Sequence, residues 1–224
     1  MFGQGFNLGF FGDPPCFTDT TDIFKDRSGV ALYTLDYDAS DSGNATGKFG
    51  EAAIFNGSSS KIELPSALSN GSTTATGCIS FWFNVGAEVT SSTPSNEIMQ
   101  FAGTSSLTGK IALGSTSGHM SGETFSVTSN VVGTYTYSQT NIPAGWNHAV
   151  VQWNSSDGKW DIYINAVKHT TYTVGAQAQR YFKLKFGNRS SAYYTGSLDQ
   201  IRIFNDSLTS AEVLKLYNNE IACS

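Results

Sequence analysis

Residues 146–167 read WNHAVVQWNSSDGKWDIYINAV. Apolar and polar residues alternate on both sides of a central NSSDGK, and a period of two marks a strand with one buried face. In the first half Ala149, Val151 and Trp153 share a face, and His148, Val150 and Gln152 take the other. In the second half Trp160, Ile162 and Ile164 oppose Asp161, Tyr163 and Asn165. Asp157-Gly158 supplies the positive φ angles of a tight turn, so Trp146 to Val167 is predicted as a β-hairpin.

The same alternation continues outward in both directions. CISFWFNV (78–85) sets Phe81, Phe83 and Val85 against Ser80, Trp82 and Asn84, and RYFKLKFG (180–187) sets Phe182, Leu184 and Phe186 against Tyr181, Lys183 and Lys185. Shorter strands are expected at Val30–Leu35, Ala52–Phe55, Lys61–Leu64, Ile98–Ala102, Lys110–Leu113, Thr124–Thr128, Thr134–Ser138 and Leu198–Phe204, about a dozen strands in all. One helix is expected in LTSAEVLKLYNN (208–219). Thr209 and Glu212 form a capping box that satisfies backbone N–H groups at its start, and Val213, Leu214, Leu216 and Tyr217 make an apolar stripe. The helix reads as a lid on the sandwich edge. The fold class is therefore all-β: a jelly-roll sandwich of two antiparallel sheets with one short C-terminal helix.

Composition agrees. Of 224 residues only 14% are charged, 23 are Gly, and the net charge is −5, which suits a turn-rich β protein with a hydroxyl-rich surface. No basic stripe is available to neutralise phosphates, so nucleic acid is not an expected partner. No apolar run approaches the roughly 18–20 residues needed to cross a bilayer, so no membrane insertion is expected. Cys16, Cys78 and Cys223 have no zinc-type spacing. A bridge between Cys16 and Cys223 stays open, and the redox compartment is undetermined.

Two units are expected: a Gly/Phe-rich arm over residues 1–15 and one domain over 16–224. The arm, MFGQGFNLGFFGDPP, is cut by four glycines and closed by two prolines, so it is neither a helix nor a signal peptide. It carries Phe2, Phe6, Phe10 and Phe11. Burying each ring is worth roughly 1.5–3 kcal/mol, so the four either pack on their own domain or serve as an assembly contact on a neighbouring subunit or larger particle.

Four segments, GKFGEAAIFNGSSSKIELP, ATGCISFWFNV, AGWNHAVVQWNSSDGKWDIYINAV and YYTGSLDQIRIFNDSLTSAEVLKLYN, resemble in order and spacing the laminin-G-like, concanavalin A-like lectin and glucanase jelly rolls, over roughly Val30 to Asn218. The last resembles that family's closing pattern, carried by Gly196, Leu198, Asp199, Arg202, Leu208, Glu212 and Tyr217. The resemblance implies a structural, buried Asp199.

Because some members hold calcium at the sandwich rim, Asp36, Asp38, Asp41 and Asn44 in LDYDASDSGN are the candidate calcium ligands. Calcium needs roughly six to eight converging oxygens, and a solvated acidic turn is the competing reading. Otherwise no cofactor is expected. For a glycan, GNRSSAYYTG offers Asn188, Arg189, Tyr193 and Tyr194 as ligand-binding residues. In the alternative, one tyrosine packs under the loop and Arg189 is merely solvated.

Catalysis is not expected. Retaining glucanases need two carboxyl groups about 5–5.5 Å apart, and Glu97 shares its strand face with Met99 and Phe101, while Glu88 and Glu123 are isolated. His119, His148 and His169 are scattered, and a packing role is expected for His148. The expected function is a non-enzymatic lectin-like module, displayed on a virion (a bacteriophage by resemblance to its fibres and decorations) or extracellularly. Its partners would be other virion structural proteins, a cell-surface glycan and further copies of itself. A purely structural cement protein is the alternative, and a β-glucanase the outsider.

Overall fold

The computed structural model describes residues 44–48, 51–63, 73–74, 76–89, 96–102, 107–114, 125–129, 133–137, 141–154, 159–173, 179–180, 183–189, 192–204 and 207–221. The Phe2, Phe6, Phe10 and Phe11 arm, Asp36, Asp38, Asp41, the strand expected at 30–35, the Asp157-Gly158 turn, Phe182, Cys16 and Cys223 lie outside the described residues.

Among the described residues there are seventeen strands and one helix. β1 (Asn44–Thr46), β2 (Glu51–Asn56), β17 (Thr195–Phe204), β5 (Thr76–Val85), β10 (Gly145–Asn154), β11 (Lys159–Ile164) and β12 (Val167–Thr173) form, in that spatial order, a seven-stranded antiparallel sheet. The second layer is a six-stranded sheet of β3 (Ile62–Glu63), β14 (Lys183–Phe186), β6 (Asn96–Ala102), β7 (Leu107–Leu113), β8 (Phe125–Ser129) and β9 (Gly133–Tyr137). Two short ribbons complete it, β4 (Thr73–Thr74) with β13 (Gln179–Arg180) and β15 (Asn188–Arg189) with β16 (Ala192–Tyr193). The expected two-sheet sandwich is what forms.

The predicted hairpin is β10 and β11, with Val151 opposite Ile162 and Trp153 opposite Trp160. β10 also pairs with β5, placing Ala149 against Phe81 and Val151 against Ile79. Phe81, Phe83, Val85, Ala149, Val151, Trp160, Ile162 and Ile164 join Ile98, Met99, Ile111, Leu113 and Phe186 of the other sheet in one buried core. Each such aliphatic or aromatic side chain contributes roughly 1.5–3 kcal/mol by leaving water. Alternation alone would not place both Leu198 and Ile201 in that core. A bulge between Asp199 and Arg202, with Gln200 at φ 49, shifts the phase of β17 and turns both inward.

Helix α1 (Ser210–Ile221) starts on the expected box: Thr209 N donates to Glu212 Oε2 (2.7 Å) and Glu212 N to Thr209 Oγ1 (3.3 Å). Two expectations are corrected. The helix does not lie at the sandwich edge but on the outer face of the seven-stranded sheet, where Val213 packs with Cys78, Val150 and Tyr163 of its inner strands. Leu214 does not belong to the buried stripe; it is 48% exposed, whereas Val213 and Leu216 are buried. Docking is fixed by polar clamps as well. Gln152 Nε2 donates to Leu208 O (2.9 Å), Leu208 N donates to Gln152 Oε1 (2.9 Å), and the Tyr163 and Ser210 hydroxyls are hydrogen-bonded (3.0 Å).

Candidate functional site

One rim of the sandwich is built by three segments that the sequence keeps far apart: the turn after β2, the start of β6 and the β15–β16 hairpin. The turn is shaped by Asn56, whose Oδ1 accepts from Ser58 N (2.8 Å), Ser59 N (2.9 Å) and Ser60 N (3.1 Å). A short polar side chain that bonds its own backbone in this way is a turn device. Main-chain bonds then run from segment to segment: Gly187 N to Ile98 O (2.8 Å), Tyr194 N to Gly187 O (2.9 Å) and Gly57 N to Tyr194 O (3.0 Å).

A side chain bridges the two sheets at the same place. Asn96 at the start of β6 donates from Nδ2 to Thr195 O (2.9 Å) and accepts at Oδ1 from Thr195 N (2.9 Å), so it acts as a one-residue strand partner for the head of β17. The close approach requires glycine at Gly187. Its φ is +82, and a Cβ there would fall about 2.0 Å from Phe55 Cδ1 and 2.8 Å from Ser60 O.

The hairpin carries the expected glycan residues. Asn188 opposes Tyr193 in register and Arg189 opposes Ala192. Tyr193 is half-buried at the surface. Tyr194 is fully buried, with its ring 5.6 Å from that of Phe55 and its hydroxyl donating to Asn84 O (3.0 Å); burial pushes its phenol far up from the ordinary tyrosine range. Tyr194 thus props the hairpin from beneath and offers no ring to solvent, while Tyr193, Asn188 and Arg189 sit on the hairpin it supports. Asn44, the described member of the calcium candidates, lies in β1 opposite Ala53. Among the described residues no group of three or more His, Cys, Asp or Glu is placed to hold a metal ion.

Residues suited to chemistry also meet beneath α1. Ser80 Oγ and His148 Nε2 are 2.8 Å apart, but both residues are fully buried, and His148 Nδ1 has no hydrogen-bond partner. A working Ser–His pair needs solvent access and a third group that orients the imidazole, so this one is structural, as expected for His148. Burial, reinforced by the nearby Arg202 charge, lowers His148 to about 3 and keeps it neutral. Asp199 is buried and accepts from Gln200 N (2.7 Å), which suits the structural part implied for it. Glu97 is buried on β6 with Ala112 as its register partner, and Glu88 is exposed.

Asn56, Asn96 and Thr195 were not singled out from sequence. Asn56-Gly57 carried a local turn signal, whereas the pairing of Asn96 with Thr195 spans 99 positions and had none.

A family model described as the Concanavalin A-like lectin/glucanases superfamily matches residues 56–214. The chain belongs to this superfamily. No curated protein sequence matches it. Among solved structures, this superfamily domain is similar to domain 4 of a GH43 extracellular arabinanase from Geobacillus stearothermophilus, solved in complex with arabinotriose. Identity is 23%, TM-score 0.56, and the match covers 86% of this chain and 85% of that domain. It is also similar to a structure from a study of botulinum neurotoxin type C and two ganglioside molecules (15%, TM-score 0.62, 84% of this chain and 46% of that one). A third is the heptameric SAP-like pentraxin of Limulus polyphemus (13%, TM-score 0.56, 73% and 80%). The superfamily domain therefore spans less than half of the toxin chain. At these identities the likenesses establish the lectin-like fold.

Proposed function

We propose that this domain is a non-enzymatic carbohydrate-binding module that grips a surface glycan at the rim hairpin, with Tyr193 as the aromatic platform and Asn188 and Arg189 as polar partners. The observation that carries the reading is the match, over 86% of this chain and 85% of the other, to a domain solved in complex with arabinotriose. The rim supports it. A half-buried tyrosine sits on a hairpin held by main-chain bonds and by Asn96, and such preorganisation lowers the entropic cost of binding. Catalysis has no comparable support, because the register partner of Glu97 is alanine and a retaining mechanism needs a second carboxyl at its side.

In the same reading the domain is displayed in several copies on a virion. The four phenylalanines of residues 1–15 anchor it to other structural proteins, and avidity compensates for weak single sites. Asp36, Asp38, Asp41 and Asn44 are the calcium ligands of this reading, should the domain take a metal.

The test is binding of the full-length chain, as an assembled multimer, to host-envelope polysaccharides and arabinan. Saturable binding that falls at least about tenfold in Tyr193→Ala, or about 1.4 kcal/mol, is expected, without release of reducing sugar. Loss of binding on chelation would bring in the metal. No binding to any glycan by the multimer would leave the structural cement reading, and sugar release would restore the glucanase. Deletion of residues 1–15 should leave the sandwich folded while abolishing incorporation into particles.

A further inference from the structure

The outer face of a sandwich sheet ordinarily meets water, yet here its centre holds Trp82, His148, Val150 and Tyr163, all buried, because α1 covers them. His148 lies at the heart of this contact. Its ring is 5.1 Å from that of Trp82 and 5.9 Å from that of Tyr217, and Trp82 and Tyr217 stack on each other at 5.5 Å with an interplanar angle of 14°. Ser80 takes one ring nitrogen, and the other has no partner. A proton added there would create a cation with no new acceptor.

We propose that α1 is an acid-released latch on the seven-stranded sheet and that protonation of His148 is its trigger. Among the described residues the charged groups of the elements packed on His148 oppose protonation or are already engaged. Arg202 of β17 is the neighbouring cation, with Nη2 bonded to Gln200 Oε1 (2.6 Å), and Lys48 Nζ sits 5.1 Å over the Trp82 ring. Asp199, the described carboxylate of β17, accepts from Gln200 N. On the helix itself Glu212 is taken up by the cap and Lys215 is exposed. From β5 Ser80 and Trp82 face the ring, from α1 Tyr217, and from the turn after β11 Asn165 Oδ1 accepts from the His148 backbone N–H (2.9 Å). Lifting α1 removes the Tyr217 cover and lets water solvate the imidazolium, so acid favours the lifted state.

Cys78 reports the opening, since it is fully buried against Val213. The experiment is labelling of Cys78 by a pyridyl disulfide reagent in a Cys16→Ser, Cys223→Ser chain, normalised to a free thiol at each pH. With an ordinary value near 6.5 in the lifted state and about 3 in the docked state, labelling should rise about 30-fold between about pH 7.5 and about pH 5, approaching one decade per pH unit. His148→Gln keeps a hydrogen-bonding group without the charge and should flatten the profile. Labelling that does not rise with acid, or that rises equally in His148→Gln, overturns the proposal. So does hydrogen exchange in which β5 and β10 lose protection together with α1, because the sheet would then be unfolding rather than being uncovered. Should His148→Gln not fold, the slope of the wild-type profile decides: one proton per opening supports the latch, and none or several overturns it.

Discussion

The rim hairpin and the face beneath α1 are assembled from the same vocabulary of tyrosine, asparagine, serine and arginine, and they use it in opposite ways. At the rim the polar work is done by main chain and by Asn56 and Asn96, leaving Tyr193 at the surface. Beneath α1 the side chains bond one another, Ser80 with His148 and Gln200 with Arg202, and the aromatics are sealed. A cluster of aromatic and polar residues is thus not evidence of binding by itself. What separates a gripping surface from a buried joint is which groups hold the architecture and which are left over.

The contrast can be broken in four places. The largest effect is expected for Trp82→Ala, which empties a fully buried indole site against Tyr217 and His148. About 3–5 kcal/mol should be lost in denaturant melts, with glycan binding at the rim retained by the folded fraction. Gly187→Ala should cost roughly 3 kcal/mol, because the new Cβ strikes both the Phe55 ring and the Ser60 carbonyl at a positive φ. Unlike Trp82→Ala, it should also impair binding. A small effect would mean that the rim is softer than its hydrogen bonds imply.

Acid comes third. His148 has a value of about 3 when folded, below the ordinary 6.5, so its share of stability is complete above about pH 6.5 and is lost as pH falls towards 3. Between about pH 7.5 and pH 5 that loss amounts to about 2 kcal/mol, read as the difference between wild-type and His148→Gln unfolding curves at each pH. The smallest stability effect belongs to Tyr193→Ala. A partly exposed side chain should change stability by within about 0.5 kcal/mol while binding drops, and a large stability loss would move Tyr193 from the ligand surface to the scaffold.

Much of the sandwich could be read from residues 146–167 outward, because burial of one sheet face imposes a period of two that survives in the sequence. The β10–β11 hairpin, the core row Phe81, Phe83 and Val85, and the Thr209–Glu212 cap are local patterns and were legible. The covered outer face was not. Trp82, Val150 and Tyr163 stood at positions that alternation assigns to solvent, and their apolar character was the unused sign that something must lie over them. Helix position was illegible for the same reason, since a stripe specifies that a helix docks and not where. The turn into β12 was missed because Asn165-Ala166 reaches positive φ at both residues without a glycine. At the rim, Tyr193 and Tyr194 are adjacent and chemically identical in sequence. Only the path of the chain over Phe55 and Asn84 sends one down and leaves the other at the surface.

The run of amide-to-carbonyl links from Ile98 through Gly187 and Tyr194 to Gly57 uses no exposed side chain. Its consequence is evolutionary: the outward positions of the rim can be rewritten one at a time without dismantling the frame that presents them. If the rim binds glycan as proposed, a lineage bearing this frame can change its ligand faster than its shape, and variation among its members should gather at Tyr193, Asn188 and Arg189 while Gly187 and Asn96 stay fixed.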